Sequence, residues 1–176
     1  MLRLVPMYCG ARSSLLAPLA ARLTEIFGLP VEQHPPLFDP ETAFEPSRGQ
    51  YNSRVLLARL LADAPAARRV LGVAGVDLFI PVLSYVFGEA QLDGRAAVVS
   101  LHRLDNEVYG LPADGDLLFA RLLKEAVHEL GHTYDLVHCH DDRCVMASST
   151  YVEGIDLKTE RFCASCRALL RRRQAR

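Results

Sequence analysis

The run HELGHTYDLVHC, residues 128–139, constrains this chain more than any other feature of its sequence. His128 and His132 are four residues apart, so on a helix both imidazoles project from the same face. Glu129 lies next to the first of them, and a third histidine, His138, follows six residues after the second. Three imidazoles and one free carboxylate are the groups of a hydrolytic zinc site, so we predict a helix that carries such a site.

In this prediction the three histidines bind the catalytic zinc and leave a fourth position for water. Zinc lowers the pKa of that water and polarises the scissile carbonyl. Glu129 reaches the metal poorly from its place on the helix, but it can accept the proton of the water and return it to the leaving amine. The motif therefore predicts a peptidase with Glu129 as general base. A core role for the histidines is the weaker interpretation, because unpaired imidazoles are costly to bury.

The spacing to His138 requires the helix to end and the chain to turn sharply. The metzincin signature, His-Glu-x-x-His-x-x-Gly-x-x-His, has a glycine at this turn, where this chain has Asp135. Glycine adopts left-handed backbone freely, whereas other residues do so at a cost of about 1 kcal/mol. We therefore expect Asp135 to alter the angle of the turn without abolishing the metal site. Asp135 could instead contact a ligand histidine, but the turn role is preferred. Met146 fits the methionine turn that metzincins place beneath the metal.

Four of the five cysteines form a second metal pattern. They occur as two close pairs, Cys139 with Cys144 and Cys163 with Cys166. Two pairs of thiolates are typical of a closed, tetrahedral structural zinc site. Because Cys139 directly follows His138, this second zinc is expected to hold the turn that delivers the third histidine. His140 could compete as a ligand, and the remaining Cys9 is expected to be a buried small side chain.

Composition narrows the range of partners and compartments. With 176 residues and a formal net charge of −1, the chain can bury one core and has no general attraction to nucleic acid or anionic membranes. It has no apolar run of membrane-spanning length, and its N-terminus is a poor secretory signal. We therefore expect a cytoplasmic monomer that acts on peptides. No upstream segment offers a cysteine switch, so we expect access or substrate size to limit activity.

A non-catalytic zinc protein is the main alternative function. Six arginines crowd the C-terminus: Arg161, Arg167, Arg171, Arg172, Arg173 and Arg176. Together with the cysteine zinc they could bind a protein or nucleic-acid partner, but a solvated helix face and frayed tail is the preferred interpretation. Glu129 argues against this alternative, because a purely structural site needs no base. A hydrolase of non-peptide amides, with the same metal centre, is a further possibility.

Hydrophobic periodicity predicts an α/β fold with a mostly parallel sheet. Strands are expected at 2–8, 70–74, 83–90 and 96–102, an extended segment at 31–34 and a loop at 35–50. Helices are expected at 13–27, 50–62, 114–130 and from about residue 164. Ser13 or Ser14 is predicted to cap the first helix, Gly28 to end it, and Asp114 or Asp116 to cap the third.

The histidine run, followed by CVM and FCASC, resembles the archaemetzincin family of zinc-dependent peptidases. Residues 70–90 and 96–104 resemble that family's central segment and its next strand, so the resemblance covers most of the chain. The joint pattern is specific, because other metzincins lack the four-cysteine site. Asp135 is the one departure from the signature.

This resemblance implies a compact metzincin-like domain over residues 1–176, of α/β (α+β) class, with two zinc ions per chain. Residues 1–134 would form an upper subdomain with a mixed twisted sheet and the active-site helix. Residues 135–176 would form a small lower subdomain around the structural zinc. The strand around Ser84–Glu89 would edge the cleft and could pair with an extended peptide.

Overall fold

Eight strands and five α-helices make up the fold in the computed structural model, which describes residues 1–64 and 67–175. The strands are β1 (Leu2–Met7), β2 (Val31–Gln33), β3 (Phe44–Glu45), β4 (Gln50–Asn52), β5 (Arg69–Ala74), β6 (Leu78–Phe79), β7 (Gly88–Ala90) and β8 (Ala96–Ser100). The helices are α1 (Leu16–Phe27), α2 (Ser53–Asp63), α3 (Gly115–Thr133), α4 (Val152–Leu157) and α5 (Ala164–Gln174).

A five-stranded sheet with the order β2-β1-β5-β8-β7 organises these elements. Its first four strands are parallel, and β7 runs antiparallel to β8 at one edge. A small second sheet has the order β3-β4-β6. The predicted mixed α/β architecture with a mostly parallel sheet is confirmed.

Helices cover both faces of the large sheet. In β5, Leu71 and Val73 pack in the cluster that contains α1 and α3, whereas Val70 and Ala74 pack in the cluster that contains α2. Successive side chains of a strand point to opposite faces, so a strand buried on both faces has a continuous apolar sequence. This packing places α3, with its histidines, against β8 and β7.

Capping residues account for most helix boundaries. Gly28 ends α1 with φ of 64°, and its N–H donates to Thr24 O at 2.9 Å, as predicted. The carboxylate of Asp114 accepts the Leu117 N–H at 2.9 Å and caps α3, also as predicted. Asn52 caps α2, so this helix begins three residues later than expected, because residues 50–52 form β4.

The predicted serine cap of α1 is wrong. A 3₁₀ turn over Gly10–Leu15 precedes the helix, and the Ser14 hydroxyl donates to Ala11 O at 3.2 Å within that turn. The helix therefore starts from Leu15, which has helical backbone angles and no side-chain cap. A 3₁₀ turn already supplies partners to the first backbone groups, so no cap is needed.

One strand prediction and one loop prediction also need correction. Only Gly88–Ala90 of the predicted strand 83–90 is paired in the large sheet, because residues 81–84 turn, with the Leu83 N–H donating to Ile80 O at 3.0 Å. The predicted loop at 35–50 contains a 3₁₀ turn, Pro40–Ala43, and the short strand β3. Among the described residues no helix has the length and apolarity to cross a membrane.

Candidate active site

Helix α3 and the chain after it bring the three predicted histidines together. The Nε2 atoms of His128 and His132 lie 3.1 Å apart. One ring nitrogen from each of His128, His132 and His138 lies within 4.8 Å of the other two. His128 is buried, His132 is half-buried and His138 is exposed, so the cluster opens to solvent on one side.

Backbone carbonyls fix the orientation of the two helical histidines. His128 Nδ1 lies 2.8 Å from Val145 O, and His132 Nδ1 lies 2.7 Å from Leu136 O. A carbonyl only accepts, so each Nδ1 carries the proton and each Nε2 lone pair is free to bind a cation. Burial lowers the pKa of both imidazoles, that of His128 well below its ordinary value. These shifts favour the neutral form of both rings, which is the form that binds a metal ion.

The turn after α3 is a Schellman motif with Asp135 at the left-handed position. Asp135 has φ of 63°, its N–H donates to His132 O at 2.9 Å, and the Leu136 N–H donates to Gly131 O at 3.2 Å. The side-chain partner of the Asp135 carboxylate is the Arg173 guanidinium of α5, with which it forms an ion pair. The aspartate thus occupies the glycine position of the signature and also ties the turn to α5.

Met146 lies directly under the histidine-bearing turn of α3. It is fully buried, and a Cβ added to Gly131 would lie 2.4 Å from Met146 Sδ. Gly131 stands just before His132, so the absence of a side chain at this position lets the methionine approach the helix between the two helical histidines. The carbonyl of Met146 in turn accepts the Cys139 N–H at 2.9 Å.

We therefore expect Gly131→Ala to lower the free energy of unfolding by about 1–3 kcal/mol, because the new methyl group displaces Met146. Gly115→Ala in the same helix is the matched control, since its Cβ meets nothing within 4 Å. This control should be neutral or stabilise by up to about 1 kcal/mol. Urea unfolding of the zinc-loaded proteins measures both, and equal stabilities would contradict the packing argument.

Glu129 is buried between α3 and the edge strand β7. A Cβ on Gly88 would lie 2.6 Å from Glu129 Cγ and 2.7 Å from Val98 O, so only glycine lets β7 approach this side chain. Burial raises the pKa of Glu129 well above its ordinary value, and the neighbouring Glu125 carboxylate raises it further.

A buried ion pair below the histidines was not predicted from the sequence. The Lys158 ammonium lies 2.8 Å from Glu125 Oε1 and donates to Ala147 O at 3.1 Å, with both side chains almost fully buried. Glu125 is buried, so it does not lie on the solvent-exposed face of α3. Lys158 lies far along the chain beyond the methionine turn, so no local spacing could have identified the pair.

The four predicted cysteines also converge. The sulfur atoms of Cys139, Cys144, Cys163 and Cys166 all lie within 4.8 Å of one another, and each is a free thiol. Cys163 stands at the N-terminus of α5, where the Cys166 backbone N–H lowers the pKa of its thiol. Cys9 lies outside this group and is buried, as predicted, with Sγ 3.1 Å from Val73 O.

The tyrosines near the motif have structural or surface positions. Tyr134 is buried, stacks on Phe27 with ring centroids 5.8 Å apart, and lies 3.4 Å beneath the Arg69 guanidinium. The Tyr109 hydroxyl donates to Arg103 O at 2.9 Å. Tyr151 is exposed and lines the cleft.

The cleft extends to both sides of the histidines. A cavity of about 390 Å³ follows β7 and is lined by Gly88, Glu129 and His132. A second cavity, of about 370 Å³, is lined by His128, Glu125 and the segment 148–151. His138 lines both, so the histidine cluster lies where they meet. A larger hollow of about 460 Å³ lies beyond the C-terminal end of α3 and is lined by none of the three histidines.

Residues 41–172 match the model of peptidase family M54. The chain belongs to the archaemetzincin family. It is similar to the archaemetzincin of Methanocaldococcus jannaschii, with 43% identity over 152 residues, 86% of this chain and 83% of that protein. It is also similar to that of Archaeoglobus fulgidus, with 39% identity over 162 residues, 92% of this chain and 94% of that protein.

Solved archaemetzincin structures have the same fold. The crystal structure from Methanopyrus kandleri matches with a TM-score of 0.88 at 38% identity and covers 99% of this chain and 95% of that one. The structure from Archaeoglobus fulgidus, complexed with malonate, matches with a TM-score of 0.83 at 36% identity and covers 96% and 98%. Archaemetzincins are zinc-dependent metallopeptidases, so the predicted family, fold and enzyme class are confirmed.

Proposed function

We propose that His128, His132 and His138 bind the catalytic zinc of this peptidase and that Glu129 is its general base. The single observation that carries the proposal is the convergence of three imidazole nitrogens within 4.8 Å. The donor set fits zinc, because two of the rings bond through Nδ1 to backbone carbonyls and so present Nε2 as a metal ligand. Zinc bound there supplies Lewis acidity, which lowers the pKa of a water and polarises the scissile carbonyl.

Glu129 moves the proton in this proposal. Its carboxylate accepts a proton from the attacking water and delivers it to the nitrogen of the leaving amine. The low-polarity surroundings that raise its pKa make it a stronger proton acceptor than an exposed glutamate. Gly88 supports this role, because only a glycine lets β7 lie this close to the Glu129 side chain.

The edge strand β7 supplies the binding surface for the peptide backbone. An extended substrate can pair with the outer edge of Gly88–Ala90 and so lie across the histidines, with its side chains in the two cavities. A cleft in a domain of this size suits short or unfolded peptides better than folded proteins.

We further propose a second, structural zinc bound by Cys139, Cys144, Cys163 and Cys166. Four thiols within 4.8 Å of one another fit a closed tetrahedral site. In this scheme residues 1–134 form the upper, sheet-bearing subdomain, and residues 135–176 form the lower subdomain around the cysteines.

Metal analysis tests both sites before any substrate is known. We expect two zinc ions per chain, one after His138→Ala, and two in the control His34→Ala, whose imidazole lies outside both groups. Peptides from a mixed library should be cleaved by the loaded enzyme, spared after chelation, and cleaved again when zinc is restored. Zinc at fewer than two per chain in the intact protein, or cleavage that survives chelation, would contradict the proposal.

A further inference from the structure

One end of the cleft presents apolar side chains to solvent. The cavity of about 390 Å³ beside β7 is lined by Ala90, Leu92 and Val137 as well as by His132 and His138. Leu92 is 55% exposed and Val137 is 63% exposed. Exposed apolar residues that are scattered singly are ordinary on protein surfaces, whereas apolar residues grouped in a groove mark a binding site.

A hydrogen-bonded turn holds Leu92 in this position. Leu92 lies in the turn between β7 and β8, where the Gln91 N–H donates to Ala96 O at 3.0 Å. The Asp93 N–H donates to His132 O at 3.0 Å, at the C-terminal end of α3. The turn is therefore anchored to the helix that carries His132, so Leu92 keeps a fixed position relative to the histidine cluster.

Val137 is held in place by the histidine motif itself. It stands between Leu136, which is buried, and His138. The Leu136 carbonyl lies 2.7 Å from His132 Nδ1, so the backbone just before Val137 is tied to the histidine cluster. Both exposed apolar side chains are thus preorganised, and covering them requires little further ordering of the protein.

The alternation of β7 turns its charged side chain away from this cavity. Successive side chains of a strand point to opposite faces. Gly88 faces α3, where an added Cβ would lie 2.6 Å from Glu129 Cγ, and Ala90 packs against the core cluster that contains α3. Glu89 faces α2 instead and accepts the Ser53 hydroxyl at 2.5 Å. The side chains that wall the cavity beyond Glu129 and the histidines are therefore apolar.

We infer that the cavity formed by Ala90, Leu92 and Val137 binds an apolar side chain, such as leucine or methionine, of the peptide substrate. His132 and His138 line the same cavity, so this substrate residue flanks the scissile bond. Covering the two exposed side chains removes apolar surface from water on both partners, which is the source of the affinity. The inference rests on the proposed function, because these histidines are taken to bind the catalytic zinc.

Polar side chains of the same shape gain less at this position. Asparagine has the branching of leucine, and glutamine has the length of methionine, so each pair differs mainly in polarity. A carboxamide that enters the cavity gives up hydrogen bonds to water, and the apolar walls offer no donor or acceptor in exchange. The preference should therefore follow polarity and not size.

Two matched pairs of peptides test the inference. The sequence is Gly-Ala-Ala-X-Ala-Ala-Gly, with X as leucine or asparagine in one pair and methionine or glutamine in the other. Zinc-loaded Glu129→Gln should bind each apolar peptide about tenfold more tightly than its polar partner, measured by fluorescence anisotropy of labelled peptides. Wild-type enzyme should cleave the apolar peptides faster by a similar factor, and mass spectrometry of the products should place X next to the cleaved bond.

Serine variants in the Glu129→Gln background identify the residues that select. Leu92→Ser should lower the leucine-to-asparagine affinity ratio about fivefold, and adding Val137→Ser should bring this ratio to within about twofold of one. The affinity for the asparagine peptide should stay the same. Leu157→Ser is the matched control, because Leu157 is 79% exposed at the end of α4 and lines neither cavity of the cleft.

Zinc content is measured on every variant, because Val137 adjoins a histidine ligand. If the double variant loses zinc, Leu92→Ser alone decides. Equal binding within the matched pairs, tighter binding of the polar peptides, or no detectable binding of any peptide overturns the inference. A ratio that Leu157→Ser lowers as much as Leu92→Ser does also overturns it.

The binding measurements keep the inference separate from the proposed function. If wild-type enzyme cleaves none of the peptides while zinc-loaded Glu129→Gln binds the apolar ones more tightly through Leu92, the peptidase proposal fails and the apolar cavity stands. If all four peptides are cleaved at equal rates and bind equally, the peptidase proposal stands and the inference fails.

Discussion

Replacing Glu129 with glutamine should lower kcat/KM for peptide hydrolysis about a thousandfold while both zinc ions stay bound. Glutamine keeps the size of the side chain in its tight place beside Gly88 but cannot accept the proton. Nearby carboxylates are poorly placed to substitute for it. Glu125 is paired with Lys158, and Glu89 accepts the Ser53 hydroxyl at 2.5 Å on the α2 side of the sheet.

Initial rates on a fluorogenic peptide, with zinc content measured on the same samples, check this expectation. The fall should lie in kcat, because substrate binding uses β7 and the cavities rather than the base. Glu153→Gln, an exposed carboxylate of α4, is the control and should keep wild-type rates. Activity of Glu129→Gln within tenfold of wild type would exclude Glu129 as the base.

The second large effect is expected at the cysteines. Cys163→Ser should remove the structural zinc and also weaken the catalytic zinc about 10- to 100-fold. The two sites are coupled because Cys139, a ligand of one, directly follows His138, a ligand of the other. The Cys139 N–H also donates to Met146 O beneath α3. Losing the thiolate cluster frees this segment, so His138 is no longer held near the two helical histidines.

Competition with a chromophoric chelator measures the affinity of the remaining zinc. Cys9→Ala is the control, because Cys9 is a buried thiol outside the cluster, and it should keep two zinc ions at wild-type affinity. An unchanged affinity of the catalytic site in Cys163→Ser would contradict the coupling, even if the structural zinc is lost.

The sequence specified the site wherever local spacing determines geometry. His128 and His132 share a helix face because they are one turn apart. Asp114 caps α3 through its own side chain, and Gly28 ends α1 through its left-handed backbone. Asp135 could be assigned to the turn because the spacing to His138 demands one, and its φ of 63° agrees with the left-handed backbone expected there.

Features that depend on residues far apart in the chain could not be predicted from local spacing. The Glu125–Lys158 pair joins α3 to the chain beyond α4, and no periodicity links two such positions. The strands β3 and β6 have two residues each, too few for an alternating pattern to be recognised. The expected cap at Ser14 failed because a competing local structure, the 3₁₀ turn, uses the same hydroxyl.

The two edges of the large sheet should behave oppositely towards other polypeptides. At one edge β2 has only three residues, with Pro30 before it, Pro35 soon after it and the charged Glu32 exposed within it. Short, charged, proline-flanked edges resist the sheet-to-sheet pairing that leads to aggregation. The other edge, β7, is equally short, but no proline adjoins it, its Glu89 side chain pairs with Ser53 of α2, and it borders the histidines. An unfolded chain that pairs with this sheet through its backbone is therefore expected to bind at β7, beside the proposed catalytic histidines. Self-association of the enzyme through β2 is disfavoured.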